Sequence, residues 1–320
     1  MRLPDYAIEA EGLAKVYPGT KTAPPKEALR GIDLKVPRGS IFGLLGPNGA
    51  GKSTFINILA GLTIKTGGTA KVWGVDIDEH PRMARASLGV VPQELAADVF
   101  FTPRESLDVQ AGLYGVPKAL RQTDPLLAAL GLTDKANAYV RALSGGMKRR
   151  LMVAKAMVHQ PPVLILDEPT AGVDVELRRQ LWEFVQGLNR QGVTIMLTTH
   201  YLEEAEALCD TIAIVNRGQV VACEPTATLL RRMDSRAVVI TPVQPLASAP
   251  GLGPLEGRLR PDGRLAITYK PDQASFEDVL AAVRQAGVAI KDLATEDPDL
   301  EDVFMALTYG DPNAADPTKD

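Results

Sequence analysis

Residues Gly46-Pro47-Asn48-Gly49-Ala50-Gly51-Lys52-Ser53 place glycines, a lysine and a hydroxyl at the spacing GxxxxGK[ST]. That set suits the capture of a phosphate chain. The glycines let backbone N–H groups turn inward around an anion with no side chain in the way. A helix opening near Lys52 aims its positive dipole end at the same place. Lys52 is expected to reach the β- and γ-phosphates of a nucleoside triphosphate, and the Ser53 hydroxyl to bind Mg²⁺. The plainer alternative is a tight glycine turn beside a surface lysine. It leaves unexplained why the motif follows one strand and opens one helix.

Two further groups narrow the chemistry. Val163-Leu164-Ile165-Leu166-Asp167-Glu168 is an apolar run ending in two acids. Asp167 at the strand end is placed to hold Mg²⁺, and Glu168 to orient an attacking water or accept its proton. Paired acids after a strand are otherwise a solvated turn; beside a phosphate loop that reading recedes. At Leu143-Ser144-Gly145-Gly146-Met147, Ser144 is read as capping a helix whose glycines leave its N–H groups open to an anion. This amounts to a second phosphate site on the same chain. Lys148, Arg149, Arg150 and Lys155 follow on that helix and by themselves read as a solvated face.

The elements that must position these groups alternate in type. SIFGLL reads as a strand running into the phosphate loop and then the helix TFINILAGL. VLILD leads into EPTAGVD and the helix VELRRQLWEFVQGLNRQG, where Leu177, Leu181, Phe184 and Leu188 share a face and Gly192 is a stop. VTIMLTT is the next buried strand, and IAIVNRGQVVA reads as a hairpin turning at Arg217-Gly218. The pattern is α/β with a largely parallel sheet. From about 98 to 160 it turns helical, with Thr102-Pro103-Arg104-Glu105 as a capping box. After 232, a Pro- and Gly-rich loop, VQPLASAPGLGPLEG, is flanked by AVVIT and RLAITYK. The helix SFEDVLAAVRQAG, the strand VAIKDLAT and the helix DLEDVFMAL complete a small α+β domain over 236–309. Residues 310–320 read as a disordered tail.

Bulk properties exclude several classes. The chain has 320 residues, 45% apolar and 23% charged, as in ordinary globular proteins. A net charge of −4 supplies no basic field for nucleic acid. The start has no signal-peptide pattern, and no apolar run approaches the about 20 residues needed to span a bilayer. Cys209 and Cys223 have no ligand-spaced partners and read as two buried thiols in a reducing compartment.

Leu143 to Met147 resembles the ABC ATPase signature, usually LSGGQ, and the chain is identified as similar to that family over roughly residues 6–232. The resemblance implies a P-loop NTPase core, residues 1–232, with an inserted helical subdomain. It implies ATP and Mg²⁺ as ligands, with Gly46 to Ser53 and Thr54 around the phosphates. Tyr17, in KVY, is similar to the aromatic that stacks on adenine. Gln93, in VVPQE, resembles the glutamine that touches Mg²⁺ and water and links the core to the helical subdomain. Asp174, in AGVD, resembles the residue that crosses the dimer interface, and His200, in TTHYLEEAE, the switch histidine at the γ-phosphate. Met147 in place of Gln, and Ala-Gly-Val-Asp in place of Ser-Ala-Leu-Asp, are similar to a bacterial branch with type-2, export-style membrane partners. LEDVFMAL at the end resembles the same branch.

The family's mechanism would pair two chains head to tail, as a homodimer or a heterodimer with a related ATPase. Each ATP would lie between one phosphate loop and the partner's Ser144, Gly145 and Gly146. A separate integral-membrane permease would receive the motion, with this chain cytoplasmic on the inner face of the membrane. The alternatives are an importer ATPase, or a non-transport ABC ATPase acting on ribosomes or DNA. The acidic balance and the lack of sustained heptads speak against the second.

Overall fold

The structure is a computed structural model and describes residues 3–19, 24–94, 98–170, 173, 175–231, 236–270, 272–296 and 300–309, without the side chains of 177, 302 and 306. The tail at 310–320 and Ala171, Gly172 and Asp174 lie outside the described residues. The chain divides into two compact units, Met1–Thr226 and Ala227–Asp320.

The first unit opens with two 12-residue strands, β1 (Tyr6–Tyr17) and β2 (Lys26–Pro37), paired antiparallel. They are followed by β3 (Ile41–Leu45), α1 (Lys52–Leu59), β4 (Gly67–Val72), β5 (Val75–Asp76), α2 (Pro81–Ala86) and β6 (Leu88–Val91). Three helices come next, α3 (Pro103–Leu113), α4 (Thr123–Ala129) and α5 (Gly145–Met157), with short 3₁₀ turns between them. The unit then runs through β7 (Val163–Asp167), α6 (Val175–Arg190), β8 (Thr194–Thr198), α7 (Leu202–Leu208), β9 (Thr211–Asn216) and β10 (Gln219–Pro225).

Two sheets result. A six-stranded sheet has the order β10-β9-β3-β8-β7-β6, parallel apart from the β9–β10 hairpin. Its strands β3, β7 and β8 are buried at all five positions, which is why they are apolar throughout rather than alternating. A four-stranded antiparallel sheet, β2-β1-β4-β5, lies in the same unit, so a single largely parallel sheet is an incomplete account of this region. Ile8, Leu13, Leu34 and Val36 of the antiparallel sheet share one core with Phe42 and Leu44 of β3 and Phe55 and Ile58 of α1. The three helices α3–α5 enter between β6 and β7, which pair directly with each other. The capping box at α3 is complete: Thr102 Oγ1 accepts from the Glu105 N–H, and Glu105 accepts from the Thr102 N–H.

The hairpin turns at Arg217 and Gly218 with both φ angles positive, 47° and 79°, the backbone of a tight turn matched to strand twist. Strand alternation buries Ala222 on β10 and leaves Cys223 exposed, whereas Cys209 is buried. The expectation of two buried thiols therefore holds for Cys209 alone.

Helix α8 (Thr226–Leu230) bridges the division. The second unit carries β11 (Arg236–Pro242), β12 (Glu256–Leu259), β13 (Leu265–Tyr269), α9 (Phe276–Gln285), β14 (Ile290–Glu296) and α10 (Leu300–Tyr309). Its antiparallel sheet has the order β12-β13-β11-β14, with Val238, Ile240, Ile267, Val279 and Val283 in its own core. Strand β12 begins within the stretch expected to be loop.

Candidate functional site

The phosphate loop leaves β3 and enters α1, and two of its glycines are dictated by their surroundings. At Gly46 (φ 157°) an added Cβ would fall 2.1 Å from the Val215 carbonyl oxygen. At Gly51 (φ 114°) it would fall 2.6 Å from the Ala28 oxygen. The loop is pinned from outside as well, because the Gly218 N–H donates to the Ala50 oxygen at 2.9 Å. Helix α1 has Gly51 as its N-cap and no side chain capping it, so its first-turn N–H groups stay available to an anion.

Lys52 is buried, and its Nζ donates to the Gly46 oxygen at 2.6 Å and the Pro47 oxygen at 3.3 Å. Burial pushes its ammonium below the ordinary lysine range, opposed by the negative charge of Glu168 and Asp167. A cleft of about 220 Å³ opens over this loop. It is lined by Asn48 to Thr54, Tyr17, Lys26, Ala28, Gln93 and Glu168. Tyr17 is 37% exposed, with the Lys15 ammonium 4.8 Å from its ring centroid.

Strand β7 delivers both acids. Asp167 Oδ1 accepts from the Thr198 hydroxyl at 2.6 Å, and the Glu168 N–H donates to the Thr198 oxygen and hydroxyl, both at 3.1 Å. Glu168 sits at φ 50°, a left-handed conformation costly for a side-chain-bearing residue, on the order of 1–3 kcal/mol. Its carboxylate is gripped from two sides: Gln93 Nε2 donates to Oε2 at 2.7 Å, and His200 Nε2 lies 2.5 Å from Oε1. Gln93 follows β6 and His200 follows β8, so three strand ends converge on one carboxylate. Ligands bind at this C-terminal edge of parallel strands in open α/β sheets.

Ser144 caps α5, its hydroxyl accepting from the Met147 N–H at 3.3 Å. Ser144, Gly145 and Gly146 are not among the cleft's lining residues. The residue that joins α5 to the cleft is one that charge counting misassigned. Arg149 and Arg150 are buried, not on a solvated face. The Arg149 guanidinium donates to the backbone oxygens of Gln93 at 2.8 Å and Pro92 at 3.2 Å, and Arg150 donates to the Leu130 oxygen at 2.8 Å. Desolvation lowers the Arg149 pKa, against the pull of Glu168 and Asp167. The helix is buried at every position from Arg149 to Ala154 and again at Ala156 and Met157, so no single inward stripe marks Arg149 in the sequence.

Glu204 of α7 was also missed. It is buried and accepts from the hydroxyls of Thr170 at 2.9 Å and Thr199 at 3.0 Å. Only the fold brings those loops together.

A family model described as "ABC transporter" matches residues 29–171. The chain is 39% identical over 309 residues to "Nod factor export ATP-binding protein I" of Paraburkholderia xenovorans (strain LB400), covering 96% of this chain and 98% of that protein. It is 36% identical to "Daunorubicin/doxorubicin resistance ATP-binding protein DrrA" of Streptomyces peucetius, covering 95% and 93%. Among solved structures it is similar to one described as "Structure of ATP binding subunit of ABC transporter", with 30% identity and a TM-score of 0.63, covering 71% of this chain and 92% of that one.

Proposed function

Because this chain belongs to the ABC transporter family, we propose that it is the ATP-hydrolysing subunit of a transporter, working as a head-to-tail pair to drive export through a separate membrane permease. The observation that carries the site assignment is the convergence of Gln93, Glu168 and His200 beside the phosphate loop. ATP lies in the cleft, its base on Tyr17 and its phosphates on Asn48 to Thr54. Lys52 exchanges its contacts with the Gly46 and Pro47 oxygens for the β- and γ-phosphates. A water oxygen then attacks the γ-phosphorus, Glu168 takes the water's proton, and the bond to the bridging oxygen of ADP breaks.

Ser53, Gln93 and Asp167 offer hydroxyl, amide and carboxylate oxygens, a donor set that suits Mg²⁺. Among the described residues no group of three or more His, Cys, Asp or Glu could hold a metal. That fits an ion completed by substrate phosphates and water. When bound, the ion neutralises charge on the β- and γ-oxygens.

The signature residues serve the partner's nucleotide, which agrees with their absence from this chain's own cleft lining. Asp174, outside the described residues, is proposed to cross the same interface by its place after the second acid. No described helix is long and apolar enough to cross a membrane. We place the chain on the inner face of the cell membrane, docked through the helical region. That region exposes Phe100 and Leu113 at 75% and 77%, apolar area of the kind that marks partner surfaces. The relatives reported above are named for export and resistance, so the importer and ribosome readings are not favoured.

The shared site is tested by mixing two defective chains. Lys52→Ala empties the phosphate loop and Ser144→Arg blocks the signature, so neither variant alone forms an intact composite site. A mixed pair rebuilds one. Crosslinking of differently labelled subunits should appear only in the mixture and only with ATP and Mg²⁺. Free exchange of chains with no nucleotide-dependent mixed dimer would overturn the assignment of Ser144.

A further inference from the structure

Glu204 holds a buried carboxylate where two catalytic loops meet. One oxygen, Oε2, receives the hydroxyls of both Thr170 and Thr199, at 2.9 and 3.0 Å. Thr170 lies two residues after Glu168, and Thr199 immediately precedes His200. The other oxygen, Oε1, lies 3.3 Å from Arg178 Nε in the first turns of α6. The Arg178 guanidinium in turn rests 4.4 Å from the ring centroid of Tyr201. The Thr199 hydroxyl also accepts from the Tyr201 N–H at 3.0 Å. Thr170 and Thr199 therefore tie Glu204 to the segments on either side of the Glu168–His200 contact, and Arg178 ties it to α6.

We propose that Glu204 is a positioning residue that clamps the loop after Glu168 to the loop bearing His200, and so sets the distance between those two groups for hydrolysis. A carboxylate suits this place. It accepts two hydroxyl hydrogens on a single oxygen and keeps the second oxygen for a cation. Because α6 begins at Val175, the Arg178 arm extends the clamp to the helix that follows residue 174. The proposal rests on the assignment of Glu168 and His200 to the attacking water and the γ-phosphate.

The test is steady-state ATP hydrolysis by the full chain, with nucleotide affinity and thermal melting measured in parallel. Glu204→Ala should lower kcat about 10- to 100-fold, the scale of misplacing a catalytic group by an ångström. KM and ATP affinity should stay near the parental values, the pattern of an interaction felt in the transition state. Glu204→Gln retains an oxygen for both hydroxyls and should restore most of the lost rate. A merely structural role would instead lower melting temperature and affinity together, with no selective loss of kcat.

Should Glu204→Ala fail to fold, Thr170→Val combined with Thr199→Val removes both donors at nearly constant shape and should show the same kcat loss. Parental kcat in that double variant, or in Glu204→Ala, overturns the clamp. Glu168→Gln run alongside separates the two levels. If it still hydrolyses ATP, the underlying site assignment fails. If it is inactive while Glu204→Ala runs at the parental rate, only the clamp fails.

Discussion

Gln93 Nε2 donates to Glu168 Oε2 at 2.7 Å, across 75 positions of sequence. The bond joins the ends of β6 and β7, and His200 completes the grip from the end of β8. A carboxylate held this way has little rotational freedom left to lose when a water must be aligned, which is the usual structural means of lowering the entropic part of a barrier.

Glu168→Gln keeps the side-chain shape but removes the group we propose as proton acceptor. Hydrolysis should fall by about 10²–10⁴-fold, the range for loss of a general base, with ATP affinity nearly unchanged. Because the nucleotide then persists between the chains, sizing chromatography in ATP and Mg²⁺ should show a stable dimer. A variant that binds ATP normally yet stays monomeric would remove Glu168 from this role.

One face of the Tyr17 ring is occupied by Lys15, so a base is expected on the other. Tyr17→Phe should bind ATP as the parent does, whereas Tyr17→Ala should lose ~1–3 kcal/mol, as in base–aromatic stacking elsewhere. Titration with a fluorescent ATP analogue measures this. Equal affinity in the alanine variant would return Tyr17 to a packing role.

Arg149→Met fills the same space without the charge and strands the Pro92 and Gln93 oxygens, a cost of roughly 1–3 kcal/mol for a buried unpaired group. Thermal stability and kcat should both drop. Arg149→Lys should rescue little, because an ammonium lacks the planar fork that spans two carbonyls. Full activity in the lysine variant would show that charge alone matters at this position.

His159 stacks on Tyr114 with ring centroids 3.7 Å apart, and its Nε2 lies 3.2 Å from the Leu88 oxygen. Burial lowers its pKa, with the Leu88 contact pulling the other way. A lowered value means the folded chain holds the imidazole neutral. The stability it contributes is then present above the unfolded-state pKa of about 6.5 and is lost as pH falls below it toward the folded value. Melting temperature should therefore fall more on acidification from pH 7.5 to 5.5 in the parent than in His159→Gln (about pH values spanning the imidazole range). Parallel pH dependence in the two proteins would refute the assignment.

The parts of the site legible from sequence are those whose chemistry is local. The phosphate loop, the acids ending β7 and the Ser144 cap each lie within a few residues of the element that positions them. What stayed hidden depends on distant pairing. The long strands β1 and β2 carry Gly12 and Gly31 at positive φ with register shifts near them, so no clean alternation announces them. Arg149 was hidden by its charge, since a buried guanidinium becomes intelligible only when the carbonyls of Pro92 and Gln93 are known to face it. Glu204 serves Thr170 and Thr199, and nothing in the spacing of those residues foretells that their hydroxyls meet.

The strand that feeds the phosphate loop has an unusual place in the order of synthesis. β3 lies between β8 and β9, neither of which begins before Thr194, and the loop's Ala50 is held by Gly218. A nascent chain that has already exposed Gly46 to Ser53 thus has neither of the strands that pair with β3. About 150 further residues must leave the ribosome first, which at roughly 5–20 residues per second takes on the order of ten seconds or more. During that interval β3, an apolar strand with both edges unpaired, is a target for misassociation and for chaperones. Nucleotide cannot template the loop early, and truncations ending before β9 should yield a chain that binds no ATP even though every residue of the phosphate motif is present.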